Sequence, residues 1–215
     1  QIDFEQRDWV PYSGWPFTKS HLDPFYERAY KICKIGSYSY RVEDWEDKQN
    51  YRLPFKGDRL VTTMSQYGSR LPFTQEYPQV IQQAPNIKTL LNATVANIEI
   101  DEVSRVVKQL RCVCMDNKQF WLRAKLFVLA TGGIENARLL LLSNQQQLDG
   151  LGNEHDLAGR FFMERPIVSC GALVPKSRKL FDLTGLYDIH EFKGVPAMAR
   201  VMLSEDTMRR EQVMN

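Results

Sequence analysis

The residues best placed to do chemistry are the glycines of segment 126–144, which reads LFVLATGGIENARLLLLSN. The apolar residues 126–130 predict a short strand, residues 131–133 a turn, and residues 134–143 an amphipathic helix. Glycine lets a ligand approach the backbone closely, and a helix N-terminus offers unpaired N–H groups with a partial positive charge. This order of elements builds anion and nucleotide sites in α/β sheets, but it also occurs in turns that bind nothing.

Other patterns for chemistry are scarce. The chain has three histidines, none with a neighbour at metal-ligand spacing, at positions 21, 155 and 190. It has no G-x-S-x-G segment and no C-x-x-C pair. The sequence therefore predicts no metal site and assigns no catalytic residue within the chain.

The four cysteines are interpreted as small buried hydrophobic residues with free thiols. Cys112 and Cys114 stand two apart in an apparent strand, so they face the same side. Free thiols fit a reducing compartment, which gives the cytoplasm a slight preference as the location.

Composition indicates part of a folded enzyme. The 215 residues are 43% hydrophobic and 25% charged, with a net charge of +2. The scattered basic residues do not predict a nucleic-acid surface. No apolar run approaches the roughly 18 residues that a membrane span requires. Since the chain starts with Gln1 and ends in a polar run, we expect an internal part of a longer protein whose native N-terminus is missing.

Local patterns predict the main elements. Asp23 and Pro24 should start a helix that stops near Gly36, and residues 74–84 should form a short helix. Residues 37–75 predict a loop with short elements. Alternating and apolar runs predict strands at 87–91, 95–100, 105–115, 120–122 and 126–130. Short alternating stretches in 160–203 predict the start of a larger sheet, and 204–215 is helix-like.

The aromatic N-terminal segment leaves two interpretations open. Trp9 and Trp15 could wall a substrate cavity, or they could be buried anchors of an irregular loop. From the residues alone, the buried anchor is the preferred interpretation.

Three segments together resemble the glucose–methanol–choline (GMC) family of flavin oxidoreductases. The strand–turn–helix ATGGIENARLLLLS is similar to a late family segment that often reads close to AAGAIETPRLLLLS. Residues 152–166, GNEHDLAGRFFMERP, resemble the segment that follows it in the family. Upstream, SGWP at 13–16 and LDPFYERA at 22–29 are similar to sugar- and polyol-oxidising members. The three matches occur in the family's order.

The resemblance implies an α/β chain of mixed α and β elements. It would be part of the FAD domain of a flavoprotein with two dinucleotide-binding domains and a β-meander. Residues 1–75 would be a loop- and helix-rich segment near the substrate and FAD cover. Residues 76–152 would belong to the FAD-binding domain, and 153–215 would begin a sheet-based substrate-binding domain.

The resemblance also implies FAD as cofactor and oxidation of a CH–OH group of a sugar, polyol or other alcohol by hydride transfer to flavin N5. Oxygen or an electron carrier would be the acceptor. Val95 would contact adenine through its backbone. The other implied cofactor-binding residues lie at the glycine turn: Ala130, Thr131, Gly132, Gly133 and Glu135. Glu135 also suits a first-turn acid that stabilises the helix dipole.

The chain departs from the family pattern in ways that keep alternatives open. It lacks the G-x-G-x-x-G turn, the family's catalytic His lies beyond its C-terminus, and Arg165 stands where members often have His. One alternative is a non-catalytic or degenerate binding module, which would be colourless. The other is an NAD(P)-linked dehydrogenase, which also uses strand–glycine–helix units.

Overall fold

The computed structural model describes residues 2–103, 105–164, 167–169, 171–172, 174–192 and 194–214. The chain divides into two compact units, one formed by residues 1–84 and 169–215 and the other by 85–168. Both contain helix and antiparallel sheet, so the predicted mixture of α and β elements is confirmed. The division into domains expected from the sequence stays a prediction.

The regular elements follow in chain order. They are α1 (Lys19–Cys33), β1 (Leu60–Gln66), α2 (Tyr77–Gln83), β2 (Ala93–Ile100), β3 (Val107–Cys114), β4 (Gln119–Leu122), α3 (Gly133–Leu142), α4 (Lys179–Asp182), β5 (His190–Phe192), β6 (Val195–Leu203) and α5 (Glu205–Glu211). Short 3₁₀ turns occur at Ile2–Phe4, Val42–Asp44 and Gly185–Tyr187, and a π-helical turn at Pro72–Glu76 precedes α2. Among the described helices, none combines the length and apolar character that crossing a bilayer requires.

The unit formed by residues 1–84 and 169–215 is built on the antiparallel sheet β1–β6–β5. Alternate residues of these strands face a core that also receives Val42, Trp45 and Leu186. One of the alternating stretches predicted in 160–203 forms the strand β6, and the helix-like run after it contains α5. The Ser204 hydroxyl caps α5 by accepting a hydrogen bond from Thr207 N–H at 3.1 Å.

Residues 85–168 contain the antiparallel sheet β2–β3–β4, which confirms the strands predicted at 95–100, 105–115 and 120–122. The register shifts between Val95 and Asn97, as in a β-bulge. One face of the sheet packs against α3 and the loop that follows it. Their shared core contains Ile98, Ile100, Leu139 and Leu151.

Two predicted strands are wrong. Residues 87–91 and 126–130 are not strands, and no described strand pairs with either. Leu126 and Val128 are 80% and 78% exposed. An apolar run becomes a strand only when a neighbour accepts and donates its backbone hydrogen bonds, which an apolar pattern cannot guarantee.

The predicted start of α1 is also wrong. Thr18 is the N-cap, and its backbone N–H donates to His21 Nδ1 at 3.3 Å. Pro24 therefore lies inside the helix, where it removes one backbone hydrogen bond. The helix ends at Cys33, because Lys34 adopts the left-handed conformation before Gly36 is reached.

Some of the residues named in the predictions lie outside the described residues. Arg165 and Cys170 are two of them. The described residues of 167–174 form no strand. Cys33, Cys112 and Cys114 are free thiols. Cys112 is buried as predicted, whereas Cys33 and Cys114 are only half-buried, so the prediction is wrong for these two.

Ser143 joins α3 to the edge of the sheet. Its hydroxyl accepts a hydrogen bond from Ile98 N–H at 2.9 Å and donates one to Leu139 O at 2.7 Å. Ser143 is completely buried. Because β2 is an edge strand, this hydroxyl satisfies a backbone donor that the ladder leaves unpaired.

The variant Ser143→Ala should therefore lower the free energy of unfolding by about 1–3 kcal/mol, because it leaves the buried Ile98 N–H without an acceptor. Amide hydrogen exchange should accelerate at Ile98. Ser37→Ala, at an exposed position in the loop after α1, is the control and should change stability by less than about 0.5 kcal/mol. Unchanged exchange at Ile98 in Ser143→Ala would contradict this role.

Candidate functional site

The glycine turn opens α3 as the sequence predicts. Gly132 is the N-cap, with φ +94° and ψ 161°, a conformation that essentially only glycine adopts. The first hydrogen bond of α3 runs from Asn136 N–H to Gly132 O at 2.9 Å. The N–H groups of residues 133–135 precede that bond, so they have no acceptor within the helix.

Asn136 fixes the residue before the glycines. Its Oδ1 accepts hydrogen bonds from Thr131 N–H at 3.1 Å and from the Thr131 hydroxyl at 2.6 Å. The Asn136 amide also donates to Leu129 O at 3.5 Å. The turn is thus held from inside its own helix. Sequence reasoning missed this residue, although an Asn in the first turn after a Thr-Gly-Gly segment was a local signal for it.

The backbone at the turn is open to a ligand. A Cβ added to Gly132 or Gly133 would meet no atom within 4 Å. Ala130 and Thr131 are exposed as well. The structure therefore brings four of the predicted residues together on one accessible surface.

A cavity of about 580 Å³ borders this turn. It lies between α3 and the segment around Gly159, which approaches Leu141 closely enough that an added Cβ would be 3.4 Å from Leu141 Cδ1. Most of its lining is apolar, with two guanidinium groups. The lining residues are Gly133, Ile134, Ala137, Arg138, Leu141, Gly159, Arg160 and Phe162.

Both arginines of the cavity have acidic partners. Arg138 makes a two-pronged contact with Glu135, with hydrogen bonds of 2.6–3.0 Å. Arg160 pairs with Asp156 at 2.5 Å. The hydrogen bond from Arg138 lowers the pKa of Glu135, so that carboxylate is ionised at neutral pH. The positive charges of the two arginines are thus nearly cancelled by their carboxylate partners. The unpaired N–H groups of residues 133–135 therefore remain as the source of positive potential at the turn.

Glu135 and Val95 differ from the other predicted cofactor-binding residues. The carboxylate of Glu135 is already held by Arg138, in the first-turn position that suits a helix dipole. Val95 lies in β2 opposite Cys112, beside the bulge, and packs against the core that contains Leu139. Val95 does not line the cavity at the turn.

Metal chemistry finds no support in the described part of the chain, where no group of three or more His, Cys, Asp and Glu side chains could hold an ion. His155 is exposed. Arg160 and Phe162 were not predicted as site residues, because only the tertiary packing of residues 159–162 on α3 brings them to the turn. Arg138 was also missed, although it lies in α3 itself.

Comparison with curated proteins shows a similarity to the fructose dehydrogenase large subunit of Gluconobacter japonicus. The matched stretch of 91 residues is 33% identical and covers 42% of this chain. It spans only 16% of that protein's length. No protein-family model matches the chain, and no solved structure matches it significantly. The similarity identifies a distant dehydrogenase relative, while membership of the GMC family stays a prediction.

Proposed function

We propose that this chain is part of an FAD-dependent oxidoreductase that oxidises a CH–OH group of a sugar, polyol or other alcohol. The three segments that resemble the GMC family support this proposal, as does the similarity to a protein named as a dehydrogenase. The observation that carries it is the turn at residues 131–133. There, unpaired N–H groups and two open glycines border a cavity that contains Arg138 and Arg160.

The residues of the turn fit the ADP half of FAD. Its pyrophosphate is an anion, which N–H groups at a helix N-terminus attract. Gly132 and Gly133 present no side chain that would hold a phosphate away. The negative charge of Glu135 would oppose binding, but Arg138 offsets it within hydrogen-bond distance. The apolar remainder of the cavity suits the rest of a dinucleotide better than free phosphate.

The roles of the chain's own residues follow from this fit. Thr131, Gly132 and Gly133 would hold the cofactor by backbone contacts, and Asn136 would position the turn. The chemistry that FAD supplies when bound is acceptance of a hydride at N5 from the carbon of the substrate CH–OH group. The proposed final acceptor is oxygen or an electron carrier. No residue of this chain is assigned as the base that takes the hydroxyl proton.

The proposal extends to the fold. We infer that residues 85–152 supply a β-meander and a nucleotide-binding turn to a flavoprotein with two dinucleotide-binding domains. The boundaries 1–75, 76–152 and 153–215 remain the proposed division between cover, FAD domain and substrate domain.

Gly133→Asp tests the phosphate contact. An acid in the first turn favours the helix, so the fold should be kept, whereas its charge should repel a pyrophosphate. FAD affinity, measured by flavin fluorescence anisotropy, should fall by at least about tenfold, equivalent to 1.4 kcal/mol. Gly133→Asn has nearly the same size without the charge, so it should lose much less affinity.

Adenosine, which belongs to the ADP half of FAD but carries no phosphate, should bind the unmodified chain and Gly133→Asp equally. Titration with NAD⁺ in parallel tests the nicotinamide alternative. Equal FAD affinity for the Asp and Asn variants would refute the phosphate contact. Tighter binding of NAD⁺ than of FAD would refute the flavin proposal.

Gly132→Ala tests the backbone conformation. At φ +94° and ψ 161°, a Cβ is strained even though the space around it is open, so unfolding should become easier by about 1–3 kcal/mol. The affinity of Gly132→Ala for FAD should fall together with its stability. Gly133→Ala is the matched control, because Gly133 does not have a positive φ and its Cβ would be free of contacts. This neighbour should be neutral or slightly stabilising in thermal denaturation. Equal melting temperatures for the two variants would contradict the assigned strain.

A further inference from the structure

A connected cluster of tyrosines lies on α1 and the segment that follows it, in the unit formed by residues 1–84 and 169–215. Its members are Tyr26, Tyr30, Tyr38 and Tyr40. The rings of Tyr26 and Tyr38 are stacked, with centroids 5.7 Å apart and planes that differ by 13°. The other three ring contacts in the cluster are edge-on, with interplanar angles of 74–87°. Tyr26 and Tyr38 are therefore the pair in this cluster whose ring faces meet.

Lys19 and Asp23 hold Tyr38 in place. Lys19 Nζ donates hydrogen bonds to Asp23 Oδ1 at 2.6 Å and to the Tyr38 hydroxyl at 2.9 Å. The Tyr38 hydroxyl in turn donates to Asp23 Oδ1 at 3.0 Å. The ammonium also lies 5.2 Å from the ring centroid of Tyr38 and 6.0 Å from that of Tyr26, so it attracts both rings. Tyr38 is thus fixed at its hydroxyl, whereas Tyr26 is 36% exposed and has more freedom to move.

Asp23 is a ready proton acceptor for Tyr38. The hydrogen bond from Lys19 lowers the pKa of Asp23, so its carboxylate is ionised at neutral pH. A phenol that has lost an electron is a strong acid, and its proton leaves along an existing hydrogen bond. For Tyr38 that hydrogen bond leads to Asp23. The product is a neutral phenoxyl radical, so the positive charge of Lys19 does not oppose its formation.

We propose that Tyr26 and Tyr38 form an oxidative modification site, at which one-electron oxidants of the peroxyl or carbonate radical class generate a dityrosine cross-link. Each phenol gives one electron to an oxidant radical. The proton of Tyr38 passes to Asp23, and that of Tyr26 passes to water. The two phenoxyl radicals join through a bond between ring carbons adjacent to the hydroxyl-bearing carbons. The hydrogens on those carbons are then replaced by protons on the oxygens, which restores both phenols. The net change is the loss of two electrons and two protons.

Stacking favours this bond for an orbital reason. The unpaired electron of a phenoxyl radical occupies orbitals perpendicular to the ring, and in stacked rings these orbitals point towards each other. In the edge-on contacts of Tyr30 and Tyr40 they do not. The centroid separation of 5.7 Å is that of an offset stack, and rotation of the exposed Tyr26 side chain closes the remaining distance. The cross-link would tie α1 to the segment that follows it.

Other exposed aromatic side chains in this unit lack a partner of this kind. Trp15 is 61% exposed, so it is not the buried anchor that its sequence context favours. Its ring contacts Phe17, which forms no phenoxyl radical. Tyr51 is 41% exposed and contacts no other ring among the described residues. Intramolecular coupling is therefore expected at Tyr26 and Tyr38.

Photo-oxidation of the dilute chain, without FAD, tests the proposal independently of the flavin chemistry. Tris(bipyridine)ruthenium(II) with persulfate generates a ruthenium(III) one-electron oxidant in light. The monomer should gain dityrosine fluorescence, and its intact mass should fall by two hydrogen atoms. Tandem mass spectrometry after trypsin should find peptides 20–28 and 35–41 joined, with the bond at Tyr26 and Tyr38.

Variants assign the coupling to the stacked pair. Tyr26→Phe keeps a ring at this position but should abolish the intramolecular product, as should Tyr38→Phe. Tyr51→Phe, which also removes an exposed tyrosine, is the matched control and should keep it. Tyr40→Phe should keep it as well, because its contact with Tyr38 is edge-on. Asp23→Asn removes the ionised proton acceptor and should lower the yield.

Three results would overturn the proposal. They are an undiminished intramolecular product in Tyr26→Phe, equal loss in Tyr40→Phe and Tyr26→Phe, and cross-links that form only between chains. The last result would indicate unselective oxidation of surface tyrosines. An unchanged yield in Asp23→Asn would refute the part assigned to Asp23.

Discussion

A single buried hydroxyl links the helix that carries the glycine turn to the sheet β2–β3–β4. Ser143 accepts from Ile98 N–H on the edge of β2 and donates to Leu139 O in the last turn of α3. This pair of hydrogen bonds, together with the packing of Leu139, sets how the helix lies against the sheet. The glycine turn lies at the opposite, N-terminal end of α3, where Gly132 and Gly133 are exposed.

The sequence predicted those elements whose signals are local. The alternating and apolar residues of β2, β3, β4 and β6 and the helix-like run that contains α5 need only their neighbours in the chain to be recognised. Residues 126–130 show the opposite case, because their apolar run depends on pairing with a distant strand. Pro24 failed as a helix start because a favourable cap at Thr18 extends α1 past the position that proline prefers.

The residues of the candidate site likewise divide into those that local sequence predicts and those that depend on tertiary packing. Thr131, Gly132 and Gly133 follow from residue type and order, since an N-cap with φ +94° and ψ 161° requires glycine. Arg160 and Phe162 could not be predicted, because more than twenty residues separate them from the turn and only packing against Leu141 brings them there. Asn136 lies between these cases: its spacing was visible, but its hydrogen bonds to Thr131 required the structure.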